Sequence, residues 1–289
     1  MLLLQACNIK KYYGDRLILR FDDLKVYYGE KIGIVGVNGS GKTTLLDLLA
    51  GRRCPDEGCL ELRARLSYIG QEDGTLSAPA RKLSREFKVS DVDEAYASGG
   101  EKTRLQIASG FDQGAGLLLA DEPTTNLDLA GIRLLEEKLA AFRGAMLLVS
   151  HDRSLLDHLC RKIIEIRDAR LLVYQGNYSD YLRQREAAFE RQLFEYRQYV
   201  RESNRLEETL TERRGNVKKI RKTPKRMGNS EARLHKREST QIQQKLNRTV
   251  KAVATRLEKL AIKEKPQEYP KIKINISQAA DAVSKTVAS

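Results

Sequence analysis

The chain has 289 residues, 31% of them charged and 41% hydrophobic, with a formal net charge of +13. No apolar run approaches the ~20 residues of a membrane-spanning helix. The opening MLLL is too short for a secretory signal, and Lys10 and Lys11 lie on the wrong side of it. The expectation is a soluble, cytoplasmic protein with no membrane partner.

The charge is uneven. Residues 181–289 hold 27 Lys and Arg against 13 Asp and Glu, whereas residues 1–180 hold 25 against 26. That asymmetry points to a polyanionic partner for the second part, with a merely solvated basic segment as the plainer alternative. Of the four cysteines, Cys54 and Cys59 stand as C-x-x-x-x-C, which could be half of a zinc site or a bridge. No second pair at ligand spacing follows, so Cys7, Cys54, Cys59 and Cys160 read as reduced thiols.

In chain order, LLLQACNIKKYY and LILRFDDLKVYYGE alternate like half-exposed antiparallel strands and predict a small β subdomain. IGIVG (32–36) is a buried-strand run, and TTLLDLLAG (43–51) a helix that stops at Gly51. GLLLADEP (116–123) and AMLLVSHD (145–152) are further buried strands, separated by an amphipathic helix over 129–142 with Leu134, Leu135 and Leu139 on one face. Strands alternating with helices predict an α/β fold with a parallel-sheet core. Past GNYSDY (176–181) the pattern turns helical. Apolar positions at Leu182, Phe189, Leu193, Tyr196, Val200 and Leu206 predict a helix over 181–212, and Leu246, Val250, Val253, Leu257 and Leu260 a second over 231–265. The aromatics Phe189, Phe194, Tyr196 and Tyr199 read as packing within this helical pair. The expected domains are 1–177, a helix–basic loop–helix hairpin over 178–265, and a flexible tail over 266–289.

The segment RRGNVKKIRKTPKRMGNSEARLHKR (213–237) holds eleven basic residues and one acid. Arg213, Arg214, Lys218, Lys219, Arg221, Lys222, Lys225, Arg226, Arg233, Lys236 and Arg237 are candidate contacts to a nucleic-acid backbone, which cations bind without reading sequence.

GVNGSGKT (36–43) fits G-x-x-x-x-G-K-[ST] between a strand and a helix, the context of a phosphate-binding loop. Gly36, Val37, Asn38, Gly39, Ser40, Gly41, Lys42, Thr43 and Thr44 form the candidate ATP site. In it Lys42 reaches the β- and γ-phosphates and Thr43 holds Mg²⁺. In LLLADE (117–122), Asp121 ends the apolar run as the second metal residue, and Glu122 is placed to activate the attacking water.

Taken with ASGGEKTR (97–104), DEPTTNLD (121–128) and VSHD (149–152), these motifs resemble the ATP-binding-cassette ATPases over residues 1–175. The resemblance implies a nucleotide-binding domain of that fold. It assigns Tyr13 to stacking on adenine, with Tyr12 as the alternative. Gln71 goes to Mg²⁺ and water, and Ser98, Gly99, Gly100 and Glu101 to the signature that closes on a facing domain. Asp128 is assigned to the coupling loop and His151 to the γ-phosphate switch. Ala97 departs from the family's usual Leu. Only 26 residues separate Gln71 from Ser98, little room for a transporter's helical subdomain. Together with GNYSDYLRQRE and the basic hairpin, this resembles the soluble F subfamily, and within it the ribosomal protection proteins. That implies an ATPase acting on the ribosome, its hairpin meeting ribosomal RNA and tRNA between the exit-tRNA site and the peptidyl-transferase centre. A second cassette domain would come from a homodimer or a missing C-terminal half. The alternatives are a housekeeping translation factor of the same subfamily, a transporter ATPase subunit, and an inactive, truncated half-protein.

Overall fold

The computed structural model describes residues 1–70, 81–87, 89, 99–112, 114–218 and 229–266. Strands β1 (Leu2–Tyr13) and β2 (Arg16–Tyr27) pair antiparallel, and β4 (Glu57–Leu62) pairs antiparallel on the other side of β1. The period of two is kept across the ladder. Leu4 and Ala6 stand opposite Val26 and Leu24 on one side and Leu62 and Leu60 on the other. Gln5 and Cys7 alternate onto the opposite face, as a pleated strand requires.

The parallel core consists of β3 (Lys31–Gly36), β5 (Leu66–Ile69), β6 (Leu117–Asp121), β7 (Ala145–Val149) and β8 (Lys162–Arg167), with β9 (Arg170–Gln175) turning back antiparallel on β8. The strand order is β4-β1-β2-β9-β8-β3-β7-β6-β5. The antiparallel strands expected at the N-terminus thus continue the core sheet, joined through the single parallel pair Arg20↔Arg170. β4, β5, β8 and β9 add to the strands expected from the sequence.

β6 and β7 are buried along their whole length because helices cover both faces. Leu117, Leu119, Leu147 and Val149 pack with Leu45, Leu46 and Leu49 of α1 (Lys42–Leu49). Leu118, Ala120, Met146 and Leu148 face the opposite layer. That layer holds Ile107 of α3 (Gly99–Asp112), Leu135 and Leu139 of α4 (Leu129–Ala141), and Leu155, Leu156 and Leu159 of α5 (Arg153–Leu159). α2 (Arg81–Glu86) is a short helix ahead of α3.

Lys31 closes the C-terminus of α4, its Nζ donating to the carbonyls of Leu139 at 3.0 Å and Ala140 at 2.8 Å. A cation suits the negative end of a helix, and those carbonyls have no intrahelical donor. Burial pulls the Lys31 ammonium below its ordinary range. Lys31→Met should therefore lower stability by about 2 kcal/mol, read as a fall in the urea midpoint with an unchanged slope; an unmoved midpoint would refute the cap.

α6 (Tyr178–Lys218) runs 41 residues, about 62 Å at 1.5 Å per residue. It exceeds the predicted 181–212 at both ends. At its start Asn177 Oδ1 accepts from the Asp180 N–H at 2.9 Å, and Asp157 accepts from the Ser179 N–H at 2.7 Å and its hydroxyl at 3.0 Å. At its end Gly215 weakens a helix by only about 1 kcal/mol and does not break it. α7 (Asn229–Glu258) stops before the predicted Lys265. The half-buried register ends at Leu260, and Ile262 is 82% exposed. Without an apolar face, propensity alone does not sustain a turn of helix.

The chain's contacts form two units, 1–184 and 185–289, so the first turns of α6 belong with the sheet. There Tyr181, not Leu182, is buried, edge-on to Tyr174 at 5.0 Å. In the second unit Leu206 and Leu210 are buried, and Leu193, Tyr196, Tyr199 and Val200 half-buried. Phe194 corrects its assignment to hairpin packing, for it is 60% exposed, one position off the stripe. Glu195 pairs with Lys263 at 3.0 Å and Glu202 with Arg256 at 3.0 Å. Arg256 lies on α7 and Lys263 just past its end, and the pairing of the later residue with the earlier position on α6 is the order of an antiparallel pair.

Candidate nucleotide site

Three parallel strands end in one row. β7 lies between β3 and β6, and Val149 stands level with Ile34 on one side and Asp121 on the other. The residues one or two places further on, Gly36, Glu122 and His151, therefore share the carboxyl edge of the sheet, where α/β folds place ligands.

The loop 36–41 reverses tightly from β3 into α1. Gly39 at φ 75° and Gly41 at φ 101° take the left-handed conformation that favours glycine. A Cβ on Gly36 would stand 2.8 Å from the Ile166 carbonyl oxygen, and one on Gly41 2.9 Å from Ile18 Cγ2. The loop thus opens its backbone N–H groups at a helix N-terminus, an anion-binding arrangement. Lys42 lies back across it, donating to the carbonyls of Gly36 at 3.1 Å and Val37 at 3.3 Å. Burial pushes the Lys42 ammonium down, and the carboxyls of Glu122 and Asp121 oppose that shift.

Asp121 is 7% exposed, and burial raises its carboxyl above the ordinary range against a hydrogen bond from Thr43 and the charge of Lys42. Thr43 and Asp121 therefore stand together as two hard oxygen donors. Among the described residues no three His, Cys, Asp or Glu side chains could hold a metal unaided. Two protein oxygens completed by phosphates and water is the donor set that fits Mg²⁺.

Glu122 sits at φ 48°, a conformation costly for a non-glycine residue. Its N–H donates to the Val149 carbonyl at 2.9 Å, which continues the ladder past Asp121. Its Oε2 accepts from the His151 backbone N–H at 3.1 Å. Oε1 is buried and, among the described residues, has no hydrogen-bond partner, although His151 Nε2 lies 3.4 Å away. Burial raises the Glu122 carboxyl, and His151 opposes the rise. A buried carboxylate with one oxygen free to accept a proton is the arrangement of a general base.

The Tyr13 hydroxyl stands 3.4 Å from Thr44 Oγ1 in the first turn of α1, and the residue is 43% exposed. The N–H of Tyr12 is held by Asp56 at 2.7 Å. The sequence reading missed Arg53, whose guanidinium lies 5.6 Å from the Tyr13 ring centre and pairs with buried Asp47 at 2.9 Å. An aspartate on the apolar face of TTLLDLLAG was the available signal, since a buried carboxylate needs a partner.

Gly99, Gly100 and Glu101 form the first turn of α3, where an acid suits the helix dipole. A Cβ on Gly100 would meet the Asn126 carbonyl oxygen at 2.9 Å, so the 123–128 loop lies against the start of α3. Asp128 accepts from the Gly131 N–H at 3.0 Å as the N-cap of α4 and pairs with Arg104 at 2.6 Å. The Arg104 guanidinium, with the Gly131 N–H, holds the Asp128 carboxyl low. Arg104, absent from the sequence reading, fixes this loop to α3, and Asn126 lies close against its first turn. Gln71 and Ser98 lie outside the described residues.

Of the basic candidates, Arg213 is half-buried, and Arg214 and Arg237 are exposed. Lys218 ends α6, while Arg233 and Lys236 lie on α7. Lys219, Arg221, Lys222, Lys225 and Arg226 lie outside the described residues.

The 36–43 glycine loop after β3, the acidic pair Asp121 and Glu122 at the end of β6, the Gly99–Glu101 turn of α3 and His151 after β7 are the parts of an ATP-binding-cassette domain, with a helical extension behind them. A family model described as ABC transporter matches residues 19–125, and an extension model of the same description matches 164–247. The chain belongs to the ATP-binding-cassette family and is of its F type. It is 35% identical over 206 residues to ribosome protection protein VmlR of Bacillus subtilis (strain 168), covering 69% of this chain and 37% of that protein. With the energy-dependent translational throttle protein EttA of Escherichia coli (strain K12) it shares 31% identity over 208 residues, covering 62% and 38%. With the erythromycin resistance ATP-binding protein MsrA of Staphylococcus epidermidis it shares 34% over 177 residues, covering 60% and 36%. The chain thus spans less than two fifths of the length of these relatives. Among solved structures, the ATP-binding subunit of an ABC transporter superposes with TM-score 0.56 at 22% identity, over 63% of this chain and 92% of that one. A bacterial Atm1-family exporter with ATP bound gives 0.54 at 23%, over 63% and 40%. Among the described residues no helix is long and apolar enough to cross a membrane.

Proposed function

We propose that the chain binds and hydrolyses ATP and acts in the cytoplasm on the ribosome, as a protection factor against antibiotics that target the peptidyl-transferase centre. The observation that carries the reading is the pairing of a phosphate-site edge that gathers Lys42, Thr43, Asp121, Glu122 and His151 with an F-type basic hairpin sequence on one polypeptide. The loop N–H groups and Lys42 bind the phosphates, and Tyr13 offers its ring to the base. Thr43 and Asp121, with Gln71, would hold Mg²⁺, which supplies charge neutralisation at the β- and γ-oxygens when bound. Glu122 takes the proton of the attacking water on Oε1, the His151 backbone N–H holds its Oε2, and the His151 side chain faces the γ-phosphate. A second cassette domain, from another copy of the chain or a further segment, presents its S-G-G-E turn to this site. ATP binding brings the two together, and the hairpin then engages ribosomal RNA and tRNA near the exit-tRNA site.

The matching test is co-sedimentation of Glu122→Gln with ribosomes in the presence of ATP. Pelleting that needs ATP, and that is lost without residues 213–237, supports the reading. Pelleting with membranes and never with ribosomes would overturn it in favour of a transporter subunit. The likeness to EttA favours a second reading, a translation factor without drug protection. Unchanged antibiotic susceptibility of cells expressing a ribosome-bound chain would select it.

A further inference from the structure

The strand register assigns the four cysteines differently from their spacing in the sequence. Cys7 of β1 stands directly opposite Cys59 of β4 in an antiparallel ladder. Directly opposed residues point to the same face of a sheet. Here it is the outer face: Cys7 shares it with Gln5, whose Nε2 lies 3.3 Å from the Cys7 sulfur, and with Asp23, 3.8 Å from it. In an antiparallel ladder, opposed Cα atoms stand about 4.5 or 5.5 Å apart according to the kind of pair, and both values fall inside the ~4.4–6.8 Å window of a disulfide. The register is pinned at this point by a bulge. Gly58 at φ 96° and Asn8 at φ 51° bring the strands so close that a Cβ on Gly58 would meet the Cys7 carbonyl oxygen at 2.4 Å.

The other two thiols are in no position to compete. Cys160 is fully buried, and burial pushes its thiol up to about 12. Cys54 is exposed, but its carbonyl is held by Lys11 Nζ at 2.9 Å, beyond the row where Lys10 faces Glu57. That places it on the order of 10 Å along the ladder from Cys7. Cys59 is exposed and Cys7 half-buried, so a small reagent reaches the opposed pair from solvent.

We propose that Cys7 and Cys59 are a thiol–disulfide modification site, oxidised to a cross-strand disulfide by a low-molecular-weight disulfide such as oxidised glutathione. One thiolate attacks the reagent and releases one small thiol; the opposed cysteine then displaces the second. The protein loses two protons and two electrons, and one small disulfide becomes two small thiols. The bridge fastens β4, the edge strand of the sheet, and closes a loop that contains Tyr13 and the whole phosphate loop.

The full chain is treated with oxidised glutathione, digested without reduction and analysed by mass spectrometry. The expected result is a Cys7–Cys59 linked peptide two hydrogens lighter than its parts, retained in Cys54→Ser and lost in Cys59→Ser. Oxidation should raise the thermal midpoint by about 5–10 °C, and dithiothreitol should reverse it. A Cys54–Cys59 link, chains cross-linked to one another, or cysteines that stop at the mixed glutathione adduct would each overturn the proposal.

Discussion

Glu122→Gln is expected to slow ATP turnover by about 10²–10⁴-fold, the usual share of a positioned general base, while ATP binding persists. Gln keeps the shape and still accepts from the His151 N–H, but it takes no proton from water. The buried, unpartnered Oε1 is the atom that is lost. Two pH measurements separate this role from a structural one. Burial raises the Glu122 carboxyl, so the acid limb of the wild-type rate should lie above the ordinary carboxylate range, and the gap between wild type and the Glu122→Gln variant should shrink toward acid. For stability, a carboxyl raised in the fold favours the folded state while protonated and loses that contribution as pH rises through its folded value. The Gln variant should therefore unfold at a higher urea concentration than wild type at neutral pH and at the same concentration in acid. Equal turnover in the two proteins would remove Glu122 from the reaction.

Exchanging Lys219, Arg221, Lys222, Lys225 and Arg226 for Gln should produce the largest change in ribosome affinity. Each cation placed at a phosphate releases condensed counterions, so the slope of log affinity against log salt should flatten by about 4 for the five charges. Affinity should fall most at low salt, where the wild-type advantage is greatest. ATPase activity of the chain alone should not move, because these residues lie far along the sequence from the phosphate loop. An unchanged salt slope would mean that the basic segment does not touch nucleic acid.

The phosphate edge was legible because its motifs are local. The chemistry of GVNGSGKT, LLLADE and VSHD is carried by neighbours in sequence, and parallel strands in register bring their ends together. Arg53 with Asp47, and Arg104 with Asn126 and Asp128, were not legible, because each joins elements whose approach depends on packing. The same division appears in the sheet. Buried runs announced β3, β6 and β7, whereas β4 is exposed at all but Leu60 and β9 is only partly buried, so their short apolar stretches carry no such signal. In the hairpin the stripe of α7 was read correctly, yet a one-position ambiguity on α6 misassigned Phe194 and Leu182.

Glu195–Lys263 and Glu202–Arg256 are surface ion pairs, worth well under about 1 kcal/mol each. A larger consequence comes from the apolar spacing, since Tyr199 and Leu206 of α6, like Val250 and Leu257 of α7, stand seven residues apart and make the helical pair a ruler graduated in heptads. Seven residues removed from each helix would shorten it by about 10 Å and turn the remaining faces by only about 20°. Five removed from each would rotate them by about 140° and separate the apolar stripes. The distance over which such a hairpin reaches is therefore open to change in discrete steps, and lengths between the steps are closed to it.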